Sequence, residues 1–250
     1  MDDTVGRTCY PCIGETPFYM RFLGFDCANR SFAYSLVRIN VFIHKNLELL
    51  ADKFQDFTTR LGGTDEAASA ILQCGEAYAQ FMAMVQQTRA LTATWLIVEK
   101  CGVIDMLGTK VESTDKLFRA RCLKTTLDNI AVGVGRDDKI IIEDQPASVN
   151  VKSSSVADQL CLYFADYDVE LISPTWKNKL CFREGLDYAT FRGRVSTSYA
   201  ANKRHSKENF LYLLRVLEQE KWLLTVDPTC YDDLADSCMQ IIAYVAKKYF

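Results

Sequence analysis

Histidine is nearly absent from this sequence: only His44 and His205 occur among 250 residues. Histidine is the commonest general acid or base in enzymes and a frequent metal ligand. Its scarcity therefore argues against the many enzymes and metal sites that depend on an imidazole.

Short catalytic motifs are absent as well. The chain has no G-x-S-x-G elbow, H-E-x-x-H pair, G-x-x-x-x-G-K-[ST] loop or G-x-G-x-x-G run. GVGRDDK at 133–139 resembles a phosphate loop, but it follows a predicted helix and lacks the Lys-Ser/Thr ending. The acidic groups DYDVE and CYDDLADSC fit capping or solvated positions, although an Asp/Glu site could still assemble in space. We predict that the protein is not an enzyme and that it uses no cofactor and no metal.

Long apolar runs and a signal peptide are also missing. No run approaches the roughly 18–20 residues that span a bilayer, and the acidic start MDDTVGRTC lacks a hydrophobic stretch. The net charge of −3 gives no general attraction to nucleic acid or to an anionic membrane. We expect a protein that is not secreted and that has no membrane partner.

Cysteine, in contrast, is abundant, with 10 residues, and the start of the chain holds the pair Cys9 and Cys12. A thioredoxin-type site needs a strand-helix setting that this Pro/Gly-containing segment lacks. A structural zinc site needs a second close pair, which the sequence does not have. Free thiols in a packed segment and disulfide bonds both remain open. Cysteines at helical positions, such as Cys74, Cys122, Cys161 and Cys238, are expected to pack in the core.

The hydrophobic pattern predicts a mainly α fold: a helical building block with one small β-hairpin and an extended N-terminal arm. From Ser31, apolar residues recur at steps of three and four, as on an amphipathic helix. Further helices are predicted from Ser113 to about Ile130, over 156–164, from Ser206, and from Asp227-Pro228 to the end. The runs 139–143 and 148–152 read as the hairpin. The predicted organisation is an arm at 1–30, a helical half at 31–132, a hairpin linker at 133–155 and a second helical half at 156–250.

A basic region within the second half, 176–207, contains eight Lys or Arg and two acids, a local charge of +6 within a total of −3. Aromatic residues alternate with these charges, as on surfaces that bind single-stranded nucleic acid. The same charges could instead dock on the acidic remainder of another copy. A solvated loop face is the simplest reading. The candidate electrostatic or nucleic-acid contacts are Arg192, Arg194, Lys203 and Arg204.

The arm TCYPCIGETPFYMRFLGFDC, the cysteine content and the helical pattern together resemble the occlusion-body proteins (polyhedrins) of nudiviruses. The resemblance implies a viral structural protein that self-assembles into a crystalline lattice around virions in the nucleus of the host cell. It also implies exchanged segments, interchain disulfides and dissolution in an alkaline gut. The partners would be other copies of the chain and the enclosed virions.

On this hypothesis the arm crosses to a neighbouring copy. Cys9, Cys12 and Cys27 would form interchain disulfides, and Phe18, Tyr19, Phe22 and Phe25 would fill an apolar groove of the neighbour. The alternative is a viral nucleocapsid-type protein that binds single-stranded nucleic acid through the basic region. A helical host-interaction protein is a third possibility.

Overall fold

A computed structural model describes the conformation of most of the chain: residues 19–27, 31–41, 43–66, 79–80, 82–84, 94–105, 116–144, 151–194 and 197–249. The chain divides into two compact units. The first comprises Met1–Phe18 and Asn40–Thr92, and the second comprises Tyr19–Ile39 and Ala93–Phe250. In the first unit, the main described element is helix α1, Ile43–Arg60.

The second unit is built on a five-stranded mixed sheet in the order β3-β2-β1-β4-β5. Strand β4 pairs in parallel with both β1 and β5, whereas β2 pairs antiparallel with β3. Strand β1 is at the centre of the sheet. Strands β2 and β3 lie on one side of it, and β4 and β5 lie on the other. The strands are β1 Tyr19–Cys27, β2 Ser31–Asn40, β3 Leu96–Asp105, β4 Lys139–Glu143 and β5 Asp168–Ile172.

This sheet shows that the predicted mainly α fold is wrong. The residues from 19 to 27, predicted as part of an extended arm, form a central strand, and residues 31–40, predicted as the start of a helix, form its neighbour. The reason is burial on both faces: the consecutive residues Phe32 and Ala33 of β2, like Phe22 and Leu23 of β1, are fully buried. Strands buried on both sides read as continuous apolar runs and lose the period-two signal.

The predicted hairpin is wrong as well. Its first run is β4, but β4 pairs with β1 and β5, which are distant in sequence. Residues 151–152 of its second run begin helix α3 (Val151–Tyr163), and residues 145–150 lie outside the described residues. The three isoleucines Ile140, Ile141 and Ile142 are fully buried because β4 lies inside a sheet covered on both faces.

Helices cover both faces of this sheet. Helices α2 (Lys116–Ile130) and α3 (Val151–Tyr163) pack on one face through a core that includes Phe25, Leu127 and Leu160. After β5 come a short 3₁₀ helix (Trp176–Lys179), α4 (Tyr188–Arg194) and α5 (Ser198–Val216). Two further 3₁₀ turns, Glu220–Thr225 and Pro228–Cys230, lead to α6 (Tyr231–Tyr249).

Helix α6 lies directly on β1, on the face opposite α2 and α3. A Cβ atom at Gly24 would come within 2.6 Å of both Ile241 Cγ1 and the carbonyl oxygen of Ser237. Ser237 Oγ also shares a buried hydrogen bond of 2.7 Å with Ser35 Oγ on β2. Glycine at position 24 therefore permits the close approach of α6, which fixes the side chains of this helix relative to the ends of β1 and β4.

The predicted final helix is present as α6, and its stripe of Leu234, Cys238, Ile241 and Val245 is buried as expected. Asp227 caps the preceding 3₁₀ turn by accepting a hydrogen bond from the backbone N–H of Thr229. Among the described helices, none is long and apolar enough to cross a bilayer.

Candidate functional site

Two acidic side chains lie at the carboxyl ends of adjacent parallel strands. Asp26 is the penultimate residue of β1, and Glu143 is the last residue of β4. Phe25 pairs with Ile142, so Asp26 and Glu143 occupy the next position of the register. The chain order of the sheet reverses between these two strands, and ligands of open α/β sheets bind at such a point.

Helix α6 adds two more carboxylates, Asp233 and Asp236, three residues apart on one side of the helix. Strand alternation places Asp26 on the same face as Gly24, which is the face that α6 contacts. Three elements that are remote in sequence, β1, β4 and α6, therefore bring four carboxylates together.

Two lysine ammonium groups bind these carboxylates. Lys203 Nζ, from α5, lies 2.7 Å from Asp236 Oδ2, 2.8 Å from Asp233 Oδ1 and 3.4 Å from Asp26 Oδ2. Lys177 Nζ, from the 3₁₀ helix after β5, lies 2.8 Å from Asp236 Oδ1 and 3.4 Å from Glu143 Oε2. Each carboxylate oxygen of Asp236 thus contacts a different lysine, so Asp236 links Lys177 to Lys203.

The inner part of the cluster is removed from solvent. Asp26, Glu143, Lys177 and Asp236 are all buried, whereas the side chains of Lys203 and Asp233 retain 17% and 21% of their exposure. The site therefore opens to solvent on the side where α5 faces the start of α6.

Burial governs the pKa values of the strand carboxyls. Burial raises the pKa of Asp26 to about 7, against the opposing effect of Lys203. Burial likewise raises the pKa of Glu143, although Lys177 opposes the shift. At Asp236 burial is outweighed by the two lysines, which together lower its pKa.

The cluster contains more carboxyl groups than ammonium groups. Four carboxyl groups face the ammonium groups of Lys177 and Lys203. The raised pKa values of Asp26 and Glu143 show that burial disfavours the ionised form of both. Strongly perturbed pKa values collect at functional sites.

Gln240 lies one turn after Asp236 and is buried. Its amide nitrogen donates a hydrogen bond to Glu143 Oε2, and its oxygen has no hydrogen-bond partner among the described residues. Buried amide oxygens are normally satisfied.

Within the part of the chain that the structure describes, no group of three or more His, Cys, Asp and Glu side chains is set in position to hold a metal ion. The ammonium groups of Lys177 and Lys203 lie between the carboxylates instead. Carboxylate oxygens are the ligands that Mg²⁺ prefers, and Mg²⁺ keeps several waters when it binds. The residue types therefore suit a hard divalent cation, which would require the carboxylates to draw closer together.

Exposed arginines lie on the two helices that follow the 3₁₀ helix of Lys177. Arg192 and Arg194 on α4 and Arg204 on α5 are exposed, and no carboxylate among the described residues lies within ion-pair distance of them. Arg183, also exposed, lies 5.4 Å from the ring centre of Tyr212. Arg204 directly follows Lys203 on α5, and α4, which carries Arg192 and Arg194, packs against α5.

The structure separates the predicted basic contacts into two kinds. Arg192, Arg194 and Arg204 stay on the surface, whereas Lys203 points into the carboxylate cluster. Of the predicted disulfide residues, Cys9 and Cys12 lie outside the described residues. Cys27 is a buried free thiol whose pKa is raised well above its ordinary value by burial.

The predicted arm contacts belong to this chain's own core. Phe22 packs against Tyr244 of α6, and Phe25 packs against Phe32 and Phe164. Both phenylalanines are fully buried, so neither is available to a neighbouring copy in this fold. Tyr19 donates a hydrogen bond of 2.9 Å to the carbonyl of Thr94. Phe18 lies outside the described residues.

The carboxylate cluster is absent from the sequence predictions. Its four acids are dispersed along the chain, and no fixed spacing joins them. A usable signal was an acid that ends an apolar run, as in FLGFD and KIIIE, followed much later by two acids three residues apart on a helix. The CYDDLADSC group fits capping or solvated positions by sequence alone, but the structure places its Asp233 and Asp236 in the cluster.

In comparisons with known proteins, no family model, no curated protein and no solved structure matches the chain.

Proposed function

We propose that this protein is a divalent-metal-dependent nuclease, which hydrolyses phosphodiester bonds of nucleic acid at the cluster formed by Asp26, Glu143, Asp233 and Asp236. The observation that carries the proposal is the meeting of four acidic side chains, Asp26 and Glu143 at the carboxyl ends of two parallel strands and Asp233 and Asp236 on α6. This proposal replaces the expectation that the protein has no enzymatic activity and no metal.

A purely structural ion-pair network is the main competing explanation. Such a network would be expected to balance its charges, because each unpaired buried ion costs several kcal/mol. Here burial raises the pKa of Asp26 to about 7 and raises that of Glu143, so folding makes the ionised form of both carboxyls costly. Enzymes accept this cost at sites where charge is required for binding or catalysis.

The chemistry follows from the ligands. A divalent ion at clustered carboxylates lowers the pKa of a bound water and stabilises charge on the phosphoryl oxygens, as in metal-dependent nucleases. In the reaction, the oxygen of water forms a bond to phosphorus and the phosphorus–oxygen bond to the leaving alkoxide breaks. The products are a phosphomonoester and an alcohol, and the water supplies the proton that the alkoxide takes up.

The protein's own groups would divide the work. Asp26, Glu143 and Asp236 supply buried oxygens for the metal, and Asp233 supplies one at the exposed edge. Lys177 holds Asp236 and Glu143 together from the buried side. Arg192, Arg194 and Arg204 would bind the phosphates on either side of the cleaved bond, because exposed arginines attract the nucleic-acid backbone.

A cleavage assay tests the proposal. The protein is incubated with labelled single-stranded, duplex and branched DNA and with RNA, in Mg²⁺, in Mn²⁺ and in EDTA. We expect metal-dependent cleavage of at least one substrate and a fall of at least about 100-fold in Glu143→Gln. Asp128→Asn, which alters an exposed carboxylate on α2, is the matched control and should cleave normally.

The unpaired arginines also favour a second candidate, nucleic-acid binding without cleavage. Salt-sensitive binding with no product in either metal would support that function and would contradict the nuclease. Assembly of occlusion bodies remains an untested expectation. Its arm mechanism cannot use Phe22 and Phe25 unless β1 leaves its own sheet.

A further inference from the structure

Strand β3 is the last strand on its side of the sheet, and no other described strand pairs with its outer edge. Such an edge presents backbone N–H and C=O groups that can pair with a strand of another molecule. At the start of β3, a side chain holds these groups. We infer that the carboxamide of Gln219 is an edge cap, which takes the place of a further strand and keeps β3 from pairing with a second copy of this chain.

The Gln219 amide makes two hydrogen bonds with the backbone of β3. Its nitrogen donates to the carbonyl oxygen of Leu96 at 2.6 Å, and its oxygen accepts from the N–H of Val98 at 2.7 Å. A carbonyl only accepts and a backbone N–H only donates, so these two groups fix the orientation of the amide. The side chain therefore offers a donor and an acceptor to alternate residues of β3, as the backbone of a neighbouring strand would.

Burial makes the two backbone groups depend on a partner. Leu96 has no exposed surface, and Val98 retains 4%. Buried backbone groups are almost always paired, because an unpaired one loses the hydrogen bonds that it would make with water. Loss of the Gln219 amide would therefore leave a donor and an acceptor that the β3 strand of a second copy could satisfy.

A β-bulge interrupts β3 directly after the capped residues. The register between β2 and β3 shifts by one residue, which leaves Glu99 as an extra residue in β3. Bulges disturb regular pairing and are one of the ways in which proteins protect sheet edges. The Gln219 amide covers the apolar part of the strand that precedes the bulge, Leu96–Val98. The edge cap and the bulge thus protect consecutive parts of the same edge.

The backbone before Gln219 adopts an uncommon conformation that brings the amide to β3. Helix α5 ends at Val216, and Glu218 then has a φ of 55°, in the left-handed region. The N–H of Gln219 donates to the carbonyl of Leu214 at 2.8 Å and closes this turn. Residues other than glycine rarely adopt such a φ, and they collect where the structure must hold a particular position.

The substitution Gln219→Met tests the edge cap, because methionine keeps the length of the side chain and removes both hydrogen bonds. Self-association of the wild type and of the variant is measured by sedimentation velocity over a range of protein concentrations. Circular dichroism establishes that the variant is folded. We expect the association constant of Gln219→Met to rise about tenfold or more, because a second strand now satisfies two buried backbone groups.

Gln159→Met is the matched control. Gln159 lies on α3, and its amide nitrogen donates to the carbonyl of Ser155 in the same helix at 3.1 Å. The same side chain is exchanged without loss of a hydrogen bond to a strand. The association constant of this variant should stay within about threefold of that of the wild type. Equal association of Gln159→Met and Gln219→Met would contradict the edge cap.

Hydrogen exchange of the Val98 backbone amide follows the edge cap directly. The rate is measured by NMR in dilute ¹⁵N-labelled protein. Exchange should be slow in the wild type, where the amide is bonded to Gln219, and about tenfold or more faster in Gln219→Met. An unchanged rate would overturn the edge cap. Faster exchange without increased association would show that Gln219 pairs with the edge but does not keep copies apart, which also contradicts the inference.

A charge on the strand identifies the surface through which copies associate. Val103 is a half-buried residue of β3 beyond the bulge. A lysine on an edge strand opposes pairing with another strand. The double variant Gln219→Met/Val103→Lys should therefore return to the association constant of the wild type. Association that persists in the folded double variant would mean that β3 is not the associating surface, and the inference would be wrong. Gln219 lies outside the carboxylate cluster, so none of these measurements depends on nuclease activity.

Discussion

At the scale of single residues, the unusual feature of this protein is a set of carboxylates that folding makes harder to ionise. Asp26 is the clearest case, because its pKa rises from an ordinary 3.8 to about 7 on burial. A group that binds its proton more tightly when folded contributes stability at low pH and withdraws it as pH rises through the folded pKa. Asp26 should therefore destabilise the metal-free protein between about pH 4 and pH 7.

This behaviour can be measured by urea unfolding in EDTA between pH 5 and pH 8. We expect the free energy of unfolding of the wild type to fall with pH relative to that of Asp26→Asn. The two proteins are compared because both contain His205. Burial lowers the pKa of His205, which makes the free energy of unfolding rise with pH in both proteins, opposite to the effect of Asp26. The lowered pKa of Asp236 acts only below this range.

Mg²⁺ should reverse the trend in the wild type, since a metal ion binds the ionised carboxylate. Stability should then increase with pH, and by less in Asp26→Asn. An identical pH dependence of the two proteins in EDTA would show that Asp26 is not held near neutrality by its surroundings.

At the scale of secondary-structure elements, the contact between β1 and α6 decides whether the carboxylates meet. Gly24 makes the contact possible, because a Cβ atom there would lie 2.6 Å from a backbone oxygen of α6 as well as from Ile241. A side-chain atom could rotate away, but the carbonyl of Ser237 cannot do so without a shift of the helix.

We predict that Gly24→Ala displaces α6 from β1 and lowers the unfolding free energy by about 1–3 kcal/mol, the usual cost of overpacking. Misplacement of Asp233 and Asp236 should also lower the cleavage rate about 10- to 100-fold at temperatures where the variant is folded. Circular dichroism, urea titration and the cleavage assay measure the two effects separately.

Gly135→Ala is the control for this substitution, because its nearest new contact, 3.8 Å from Asp138 Oδ2, is an ordinary one. Its stability and its cleavage rate should remain close to those of the wild type. Full activity in folded Gly24→Ala would mean that the position of α6 on β1 does not determine the site.

The secondary-structure elements differ in how well the hydrophobic pattern of the sequence predicts them. The final helix was predictable, because its apolar stripe from Leu234 to Val245 is long and uninterrupted. Strands β1 and β2 were not, because the spacing of Leu36 and Ile39 in β2 continues by chance into the stripe of α1. Burial on both faces removes the alternation by which a strand is identified.

The same reasoning explains why the site was missed. Parallel pairing brings Asp26 beside Glu143, and that pairing depends on the whole sheet. No local spacing in the sequence indicates the pairing of β1 with β4. The basic character of 176–207 was predictable from composition, but the division between surface arginines and the inward Lys203 required the packing of α5 on α6.

At the scale of the whole molecule, a buried acidic cluster occurs together with exposed arginines on α4 and α5. A nucleic acid, itself negative, would be repelled by the ionised carboxylates alone. On the proposed function, Arg192, Arg194 and Arg204 compensate by binding backbone phosphates.

This arrangement predicts a particular salt dependence. Each arginine that binds a phosphate releases counterions, so its removal should reduce the slope of log K against log salt by about 0.9 for duplex DNA. We expect Arg192→Ala, Arg194→Ala and Arg204→Ala each to weaken binding and to reduce the slope. Binding is measured by fluorescence anisotropy in Ca²⁺, which should occupy the carboxylates while supporting little cleavage.

Arg121→Ala is the matched control, because Arg121 is an exposed arginine on α2, the helix that covers the opposite face of the sheet. Its removal changes the net charge by the same amount and should leave the slope unchanged. An equal loss of slope in Arg121→Ala would mean that overall charge, rather than the α4–α5 surface, attracts the nucleic acid. Loss confined to the α4–α5 arginines would place the nucleic acid on the surface of these two helices, of which α5 also carries Lys203 of the carboxylate cluster.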